Sequence, residues 1–187
     1  MNLECKQCKC TFTSEGARGR TPSFCSNACR QRAYRERRRA RVGVPEEMVS
    51  SRRWVRCDER KRPVSASGAL LLWSGADTWM SHSKALSAPY GAGLGYVLGE
   101  GIGVIDLDDC VRPDGSLSSL ARGILEENPG AYVERSQSGR GLHVFGRISG
   151  NVCVRGAGLE VYAGDRKRFV WVTGDVFRAG GLPALSW

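Results

Sequence analysis

Two aspartates one residue apart, Asp106 and Asp108, close the apolar run that begins at Ile102. On a strand this spacing turns both carboxylates to one face, about 7 Å apart, and turns Leu107 to the other. Two like charges side by side are costly unless something positive neutralises them, and a hard divalent cation is the usual partner. A strand end running into an acidic loop is the alternative, since Asp109 follows and Asp114 is close. A second segment, Ser136-Gln137-Ser138-Gly139-Arg140-Gly141-Leu142-His143, joins two strand candidates through small residues. Gly139 and Gly141 allow close backbone approach, and the turn amides with Arg140 suit phosphate oxygens. His143 would point from the next strand at whatever the loop holds. A plain Gly-Ser hairpin turn fits the segment equally well. In the third segment, Leu159-Glu160-Val161-Tyr162, a lone carboxylate interrupts an apolar strand, and Asp165-Arg166-Lys167-Arg168 follows. That turn can bring cations to a triphosphate, or Glu160 can simply face solvent before a polar turn.

Five of the eight cysteines fall in the first 29 residues. Cys5-x2-Cys8 and Cys25-x3-Cys29 form two bidentate claws, the arrangement of a tetrahedral four-cysteine zinc site. The segment between them, rich in Gly, Arg, Ser and Thr, has no core of its own and would be folded by the metal. Free thiols in an arm are the alternative, and Cys10 competes with Cys8 for the first claw. Cys57, Cys110 and Cys153 are scattered and read as small apolar residues. The second claw opens a helical stretch in which Arg30, Arg32, Arg35, Arg37, Arg38, Arg39 and Arg41 are opposed only by Glu36. Arginine makes bidentate phosphate contacts and stacks on bases, so this run suits a nucleic-acid backbone without reading its sequence. The segment from Cys25 to Arg32 resembles the short treble-clef-like zinc modules of small bacterial and phage proteins.

The elements that must hold these groups follow from pattern. Trp54 to Cys57 reads as a first strand and residues 77–88 as a helix capped by Asp77, with His82 a structural residue. Residues 95–108 read as a β-hairpin turning at Gly99-Glu100-Gly101. Residues 116–128 read as an amphipathic helix ended by Pro129-Gly130. Strands are expected at 132–136, 142–148, 158–162 and 168–173. The expected fold class is α+β, a largely antiparallel sheet with packed helices, preceded by the zinc module and basic helix. The expected domains are 1–41 (zinc module and Arg-rich helix), 42–53 (linker) and 54–187 (catalytic domain).

The chain has 187 residues and a formal net charge of +9. Residues 1–63 carry 17 basic and 7 acidic side chains, whereas residues 64–187 carry 11 and 12, so the excess positive charge is all in the first third. A hydrophobic fraction of 41% excludes a wholly disordered chain. No apolar run approaches the roughly 20 residues of a membrane span, so no membrane partner is expected. The first residues lack the apolar core of a secretory signal, which makes a cytoplasmic location the expectation.

Taken in order, Asp106-x-Asp108, the loop ending in Leu142-His143, and Leu159-Glu160 resemble the three motifs of the archaeo-eukaryotic primase superfamily. They are most similar to the bifunctional DNA primase/polymerase (prim-pol) domain of phages and plasmids. The resemblance spans about residues 54–175, including Lys61-x-Pro63, the Trp79 segment and the Phe169–Gly174 strand. It implies a primase/RRM-like core in which Asp106, Asp108 and Glu160 bind Mg2+ or Mn2+. It also implies that His143 contacts the incoming nucleotide with Ser138, Gly139, Arg140, Gly141 and Arg168. Many relatives have Asp where this chain has Glu160. The implied activity is template-directed nucleotidyl transfer from nucleoside triphosphates on single-stranded DNA, beside a separate replicative helicase, in a bacterial host's cytoplasm if phage-encoded. Two alternatives stand beside it: a non-catalytic zinc-containing DNA-binding accessory protein with a vestigial primase core, and a metal-dependent nuclease using the same carboxylates.

Overall fold

A computed structural model describes residues 2–13, 22–33, 43–65, 67–71, 75–164 and 168–187. The chain divides into two compact units, residues 1–42 and 43–187.

In the first unit, β1 (Asn2–Glu4) pairs antiparallel with β2 (Thr11–Thr13). The loop between them is a tight knuckle in which the Cys5 amide donates to the Cys10 carbonyl and the Lys9 amide to the Cys5 carbonyl, each at 2.9 Å. Helical backbone (α1) runs over residues 27–33. Its entry is capped by Ser26, whose hydroxyl accepts from the Cys29 amide at 3.1 Å.

The second unit consists of α2 (Glu46–Ser50), β3 (Trp54–Cys57), β4 (Pro63–Val64), α3 (His82–Ser87), β5 (Gly93–Val97), β6 (Ile102–Leu107), α4 (Ser119–Glu127), β7 (Tyr132–Arg135), β8 (Leu142–Arg147), β9 (Cys153–Gly156), β10 (Leu159–Tyr162), β11 (Phe169–Val172) and β12 (Val176–Arg178). They build a six-stranded sheet, order β12-β7-β8-β6-β10-β9, and a four-stranded sheet, order β11-β5-β3-β4. Every strand pairing within them is antiparallel. The α+β class with mostly antiparallel sheet is therefore as expected.

Alternation along the strands sorts side chains into two layers. Val104, Tyr132, Phe145 and Tyr162 of the larger sheet share one buried cluster with Trp54, Tyr96, Val170 and Val172 of the smaller. On the larger sheet's other face, Ile105, Leu107, Val133, Val144 and Val161 pack with Ala121, Ile124 and Leu125 of α4. Those α4 residues recur at i, i+3 and i+4, so the helix buries one stripe. Burying Ile124 and Leu125 stabilises by about 1.5–3 kcal/mol each. The Ser118 hydroxyl, accepting from the Ala121 amide at 3.2 Å, caps the helix start and contributes about 1 kcal/mol.

Several expectations are corrected. The residues read as one hairpin, 95–108, supply β5 to the smaller sheet and β6 to the larger. Tyr96, Val97, Val104 and Ile105 are all fully buried, so each strand needs cover on both faces. The turn between them, with Glu100 at φ 55 and Gly101 at φ 77, carries the chain across. The helix expected at 77–88 is instead a 3-10 turn (Ala76–Thr78), an extended stretch bridging Met80 to Trp54, and then α3. Ser81 rather than Asp77 caps α3, accepting from the Lys84 amide at 3.4 Å. Of the segment read as a linker (42–53), residue 42 lies outside the described residues. The rest holds α2 and buries Val44 and Met48, while the Arg53 guanidinium donates to the Val97 and Leu98 carbonyls at 2.9 and 2.8 Å. Cys57 and Cys110 are buried as small apolar residues, but Cys153 is exposed on β9. His82 is buried, its ring 4.5 Å from that of Trp54, as befits a structural residue.

Candidate functional site

Register brings three of the sequence-predicted residues of the second unit, Asp106, His143 and Glu160, into a single line with Glu134 and Arg155. Glu134 lies opposite His143, His143 opposite Asp106, Asp106 opposite Glu160, and Glu160 opposite Arg155. The row crosses β7, β8, β6, β10 and β9. Two residues farther along each of the four inner strands come Tyr132, Phe145, Val104 and Tyr162, which belong to the core between the sheets. With a side-chain period of 2, the polar row lies on that same face, next to the core. This is why Asp106 and Glu160 are only partly exposed and His143 is nearly buried.

Asp106 is the carboxylate at the middle of the row. Burial pushes its carboxyl above the ordinary value, the charges of Asp108 and Glu160 push it further, and His143 and Lys61 work against them. His143 Nε2 stands 3.6 Å from Asp106 Oδ1. Its Nδ1 is 3.1 Å from Glu134 Oε1. Asp108 lies just past β6 and is exposed, its amide donating to the Gly158 carbonyl at 3.1 Å, while Leu107 between the aspartates is fully buried on the opposite side.

Glu160 has partners of its own. It accepts from the Tyr162 hydroxyl, and Arg155 Nε lies 3.8 Å from Oε1 while donating to the Tyr162 hydroxyl oxygen at 3.0 Å. The Arg168 guanidinium sits 3.7 Å from the centre of the Tyr162 ring, so two arginines flank one aromatic beside the row. Residues 165–167 lie outside the described residues.

The loop from Ser136 to Gly141 is a self-contained turn. The Gly139 amide donates to the Ser136 carbonyl at 2.9 Å, the Arg140 amide to the Ser138 hydroxyl at 3.2 Å, and the Gly141 amide to the Ser136 hydroxyl at 3.1 Å. These amides, expected to face a phosphate, are used inside the loop. The Arg140 side chain pairs with Asp109 at 3.0 Å, an exposed contact worth at most about 1 kcal/mol. The loop's role here is to deliver His143 into the row.

Sequence reading missed Glu134, Arg155 and Tyr162 as members of this site. For Glu134 a signal existed: it interrupts an apolar strand as Glu160 does, in register with Tyr132 two residues earlier. Arg155 carries none, because β9 is exposed along its whole length.

The first unit holds a separate cluster. The sulfurs of Cys5, Cys8, Cys25 and Cys29 all lie within 4.8 Å of one another, so these four residues can hold a metal such as zinc. Among the described residues no other set of three or more His, Cys, Asp or Glu ligand atoms gathers so closely, the carboxylates of the row included. Cys10 stays outside the four, with its sulfur 3.1 Å from that of Cys8. Electrostatics favour a cation here. Burial opposes ionising Cys5, but amides of Cys25, Cys8 and Gln7 outweigh it, and its thiol is lowered to about 6 from 9.0. Hydrogen bonds from the Cys10 and Cys8 sulfurs push Cys25 up to about 11. Ser26 favours the Cys29 thiolate, yet the sulfurs of Cys25 and Cys8 push it up to about 11. Ionising all four together therefore calls for a dication.

Of the arginines expected to bind nucleic acid, Arg30 and Arg32 are exposed on α1, and Arg30 donates to Asn27 Oδ1 at 2.8 Å. Arg35, Arg37, Arg38, Arg39 and Arg41 lie outside the described residues. No helix among the described residues is long and apolar enough to cross a membrane. Neither a protein-family model nor a curated protein matches this chain.

Proposed function

We propose that the second unit is a metal-dependent nucleotidyltransferase of the prim-pol kind, and that the first unit holds it on single-stranded DNA. The observation that carries this reading is the row itself. Three groups far apart in the chain, Asp106, His143 and Glu160, occupy facing positions on adjacent strands, with Asp108 one step beyond.

In this reading Asp106, Asp108 and Glu160 hold Mg2+ or Mn2+, for which an all-carboxylate donor set is suited. The metal supplies charge that activates a primer 3′-hydroxyl and stabilises the pyrophosphate leaving group. His143 offers Nε2 to the triphosphate from the middle of the row. Arg168, held against Tyr162, supplies a neighbouring cation, and the loop bearing Ser138 and Arg140 borders the same ligand. The four cysteines hold zinc, and the arginines from Arg30 to Arg41 grip phosphates without reading bases. A separate helicase would expose the template strand.

The test is primer extension on a single-stranded template with labelled deoxynucleoside or ribonucleoside triphosphates and Mg2+ or Mn2+. Asp106→Ala with Asp108→Ala should remove several kcal/mol of transition-state stabilisation, a loss of about 10³-fold or more. Unchanged incorporation by that double variant overturns the assignment.

One observation favours a second reading, a non-catalytic DNA-binding accessory protein. The Glu160 carboxylate already has Tyr162 and Arg155 as partners, so its charge is balanced within the chain. Under that reading the wild-type protein incorporates nothing, and its DNA binding survives loss of both aspartates.

A further inference from the structure

Glu134 is fully buried, while the other charged or polar residues of the buried core retain some exposure. A carboxylate withdrawn from water in this way is costly unless every lone pair it presents is met. Here each oxygen is met twice. Oε1 accepts from the Thr173 amide at 3.0 Å and faces His143 Nδ1 at 3.1 Å. Oε2 accepts from the Gly174 amide at 3.0 Å and from the Tyr132 hydroxyl at 3.1 Å.

The two backbone amides decide what the other contacts must be. An amide N–H has only a proton to offer, so both oxygens of the carboxylate accept, and a carboxylate has no proton of its own to give. His143 Nδ1 therefore has to bring a proton to Oε1, because a bare ring nitrogen there would set two acceptors against each other in a buried site. With the proton held on Nδ1, the nitrogen facing Asp106 is Nε2, 3.6 Å from Oδ1 and beyond direct hydrogen-bond reach. The gap leaves Nε2 as the ring atom able to exchange a proton with an incoming group.

The anchor for this arrangement is rigid. The Thr173 hydroxyl donates to the Arg135 carbonyl at 2.6 Å, the Asp175 amide donates to the Thr173 hydroxyl at 3.1 Å, and the Arg135 amide donates to the Asp175 carbonyl at 2.8 Å. The turn from 173 to 175 is thus fastened to β7, the strand that carries Glu134. We propose that Glu134 is a positioning residue: it fixes the His143 proton on Nδ1 and aims Nε2 into the site, referenced to the turn at Thr173 and Gly174. The tautomer follows from the geometry alone, whereas its use toward a nucleotide rests on the reading above.

The test uses the full chain labelled with 15N-histidine. The chain has two histidines, so His82 serves as internal control. In the wild type, ring 1H–15N correlations should place a slowly exchanging proton on His143 Nδ1. Finding Nδ1 of His143 bare overturns the proposal, and this needs no variant to fold. Glu134→Gln must turn an NH2 toward one of the two fixed amides, so the His143 signals should move while those of His82 hold. Tyr132→Phe removes a donor from Oε2 alone and should leave the Nδ1 proton in place. Unmoved His143 signals in Glu134→Gln, or loss of the Nδ1 proton in Tyr132→Phe, would each count against it. In primer extension, Glu134→Gln should lower kcat about 10–100-fold, the usual cost of losing a residue that orients a functional histidine, with KM changing less. If the ring spectra behave as stated but the wild type incorporates nothing, the nucleotidyl-transfer reading fails and the positioning role stands. Full kcat in Glu134→Gln overturns the role.

Discussion

Glu160 on β10 stands directly opposite Asp106 on β6, so two carboxylates share one face of the sheet on neighbouring strands. Facing positions of an antiparallel pair hold their Cβ atoms about 4.5–5.5 Å apart, and like charges there are destabilising. The fold tolerates the pair by bracketing it. Arg155 and the Tyr162 hydroxyl serve Glu160, while His143 and the charge of Lys61 serve Asp106. Stability is given up at a defined place, and under the proposed reading a bound cation would relieve that repulsion.

The pH dependence of stability should show that cost. Burial raises the Asp106 carboxyl above its ordinary 3.8, so the folded chain binds more protons there than the unfolded chain between 3.8 and the raised value. Stability from this group therefore falls as pH rises through that window, and the penalty is complete once pH is above the raised value. Asp106→Asn keeps the shape and removes the charge. We expect a higher Tm at pH 7, by about 2–4 °C for each kcal/mol relieved, and a flatter stability profile above about pH 4. The same variant should lose metal-dependent incorporation. Thermal unfolding followed by circular dichroism from pH 4 to 8 measures this, and a lower Tm at pH 7 would contradict the account.

The loop that delivers His143 separates two kinds of glycine. Gly139 has φ 73 and open space where a Cβ would stand, so Gly139→Ala should cost only its backbone strain, about 1–2 kcal/mol. A Cβ on Gly141 would come 2.7 Å from the Leu107 carbonyl oxygen and 2.8 Å from the Ser136 hydroxyl. Leu107 lies between Asp106 and Asp108, so Gly141→Ala presses on the strand end that carries both aspartates. We expect it to cost about 2–3 kcal/mol and to lower incorporation more than Gly139→Ala does. Urea unfolding and primer extension on the two variants check the order.

What could be read from sequence was whatever obeyed a short period. Asp106 and Asp108 around Leu107, His143 after Leu142, and Glu160 after Leu159 are all period-2 signals, and the structure keeps Leu107 and Leu142 fully buried. The heptad-like stripe of α4 was legible for the same reason. Strand partnership was not, because nothing in residues 95–108 records that β5 and β6 part into different sheets. Segment 42–53 looked like a linker because charge surrounds its few apolar residues, yet Val44 and Met48 are buried and Val49 packs beside them, which anchors α2 in the core. Arg155 was invisible because its position opposite Glu160 depends on β9, an exposed strand without alternation.

Nucleic-acid affinity should belong to the first unit and its basic run. Each phosphate neutralised on single-stranded DNA contributes about 0.7 to the slope of log K against log salt. Replacing Arg35, Arg37, Arg38, Arg39 and Arg41 with Gln should weaken binding at low salt and flatten that slope by about 0.7 for every phosphate no longer neutralised. Asp106→Ala with Asp108→Ala should leave both unchanged. Fluorescence anisotropy with a labelled oligonucleotide over a salt series gives the slopes, and an unaltered slope in the arginine variant would remove this role from the run.

Metal binding at the cysteines gives the most direct prediction. Four sulfurs within 4.8 Å, with Cys25 and Cys29 pushed up to about 11, make binding of a dication release protons. Cobalt substitution should give the intense visible bands of a tetrahedral thiolate site, at one metal ion per chain. Cys25→Ser removes a member of the cluster and should weaken affinity by orders of magnitude. Cys10→Ser should keep the spectrum, since Cys10 lies outside the four although its sulfur is 3.1 Å from Cys8. Loss of the tetrahedral bands in Cys10→Ser, with retention in Cys8→Ser, would exchange the two residues in the ligand set. Chelation should unfold the first unit, because β1 and β2 contribute only three residues each and Cys5 is its only fully buried side chain among the described residues. The second unit, with its own core between two sheets, should keep its thermal transition throughout.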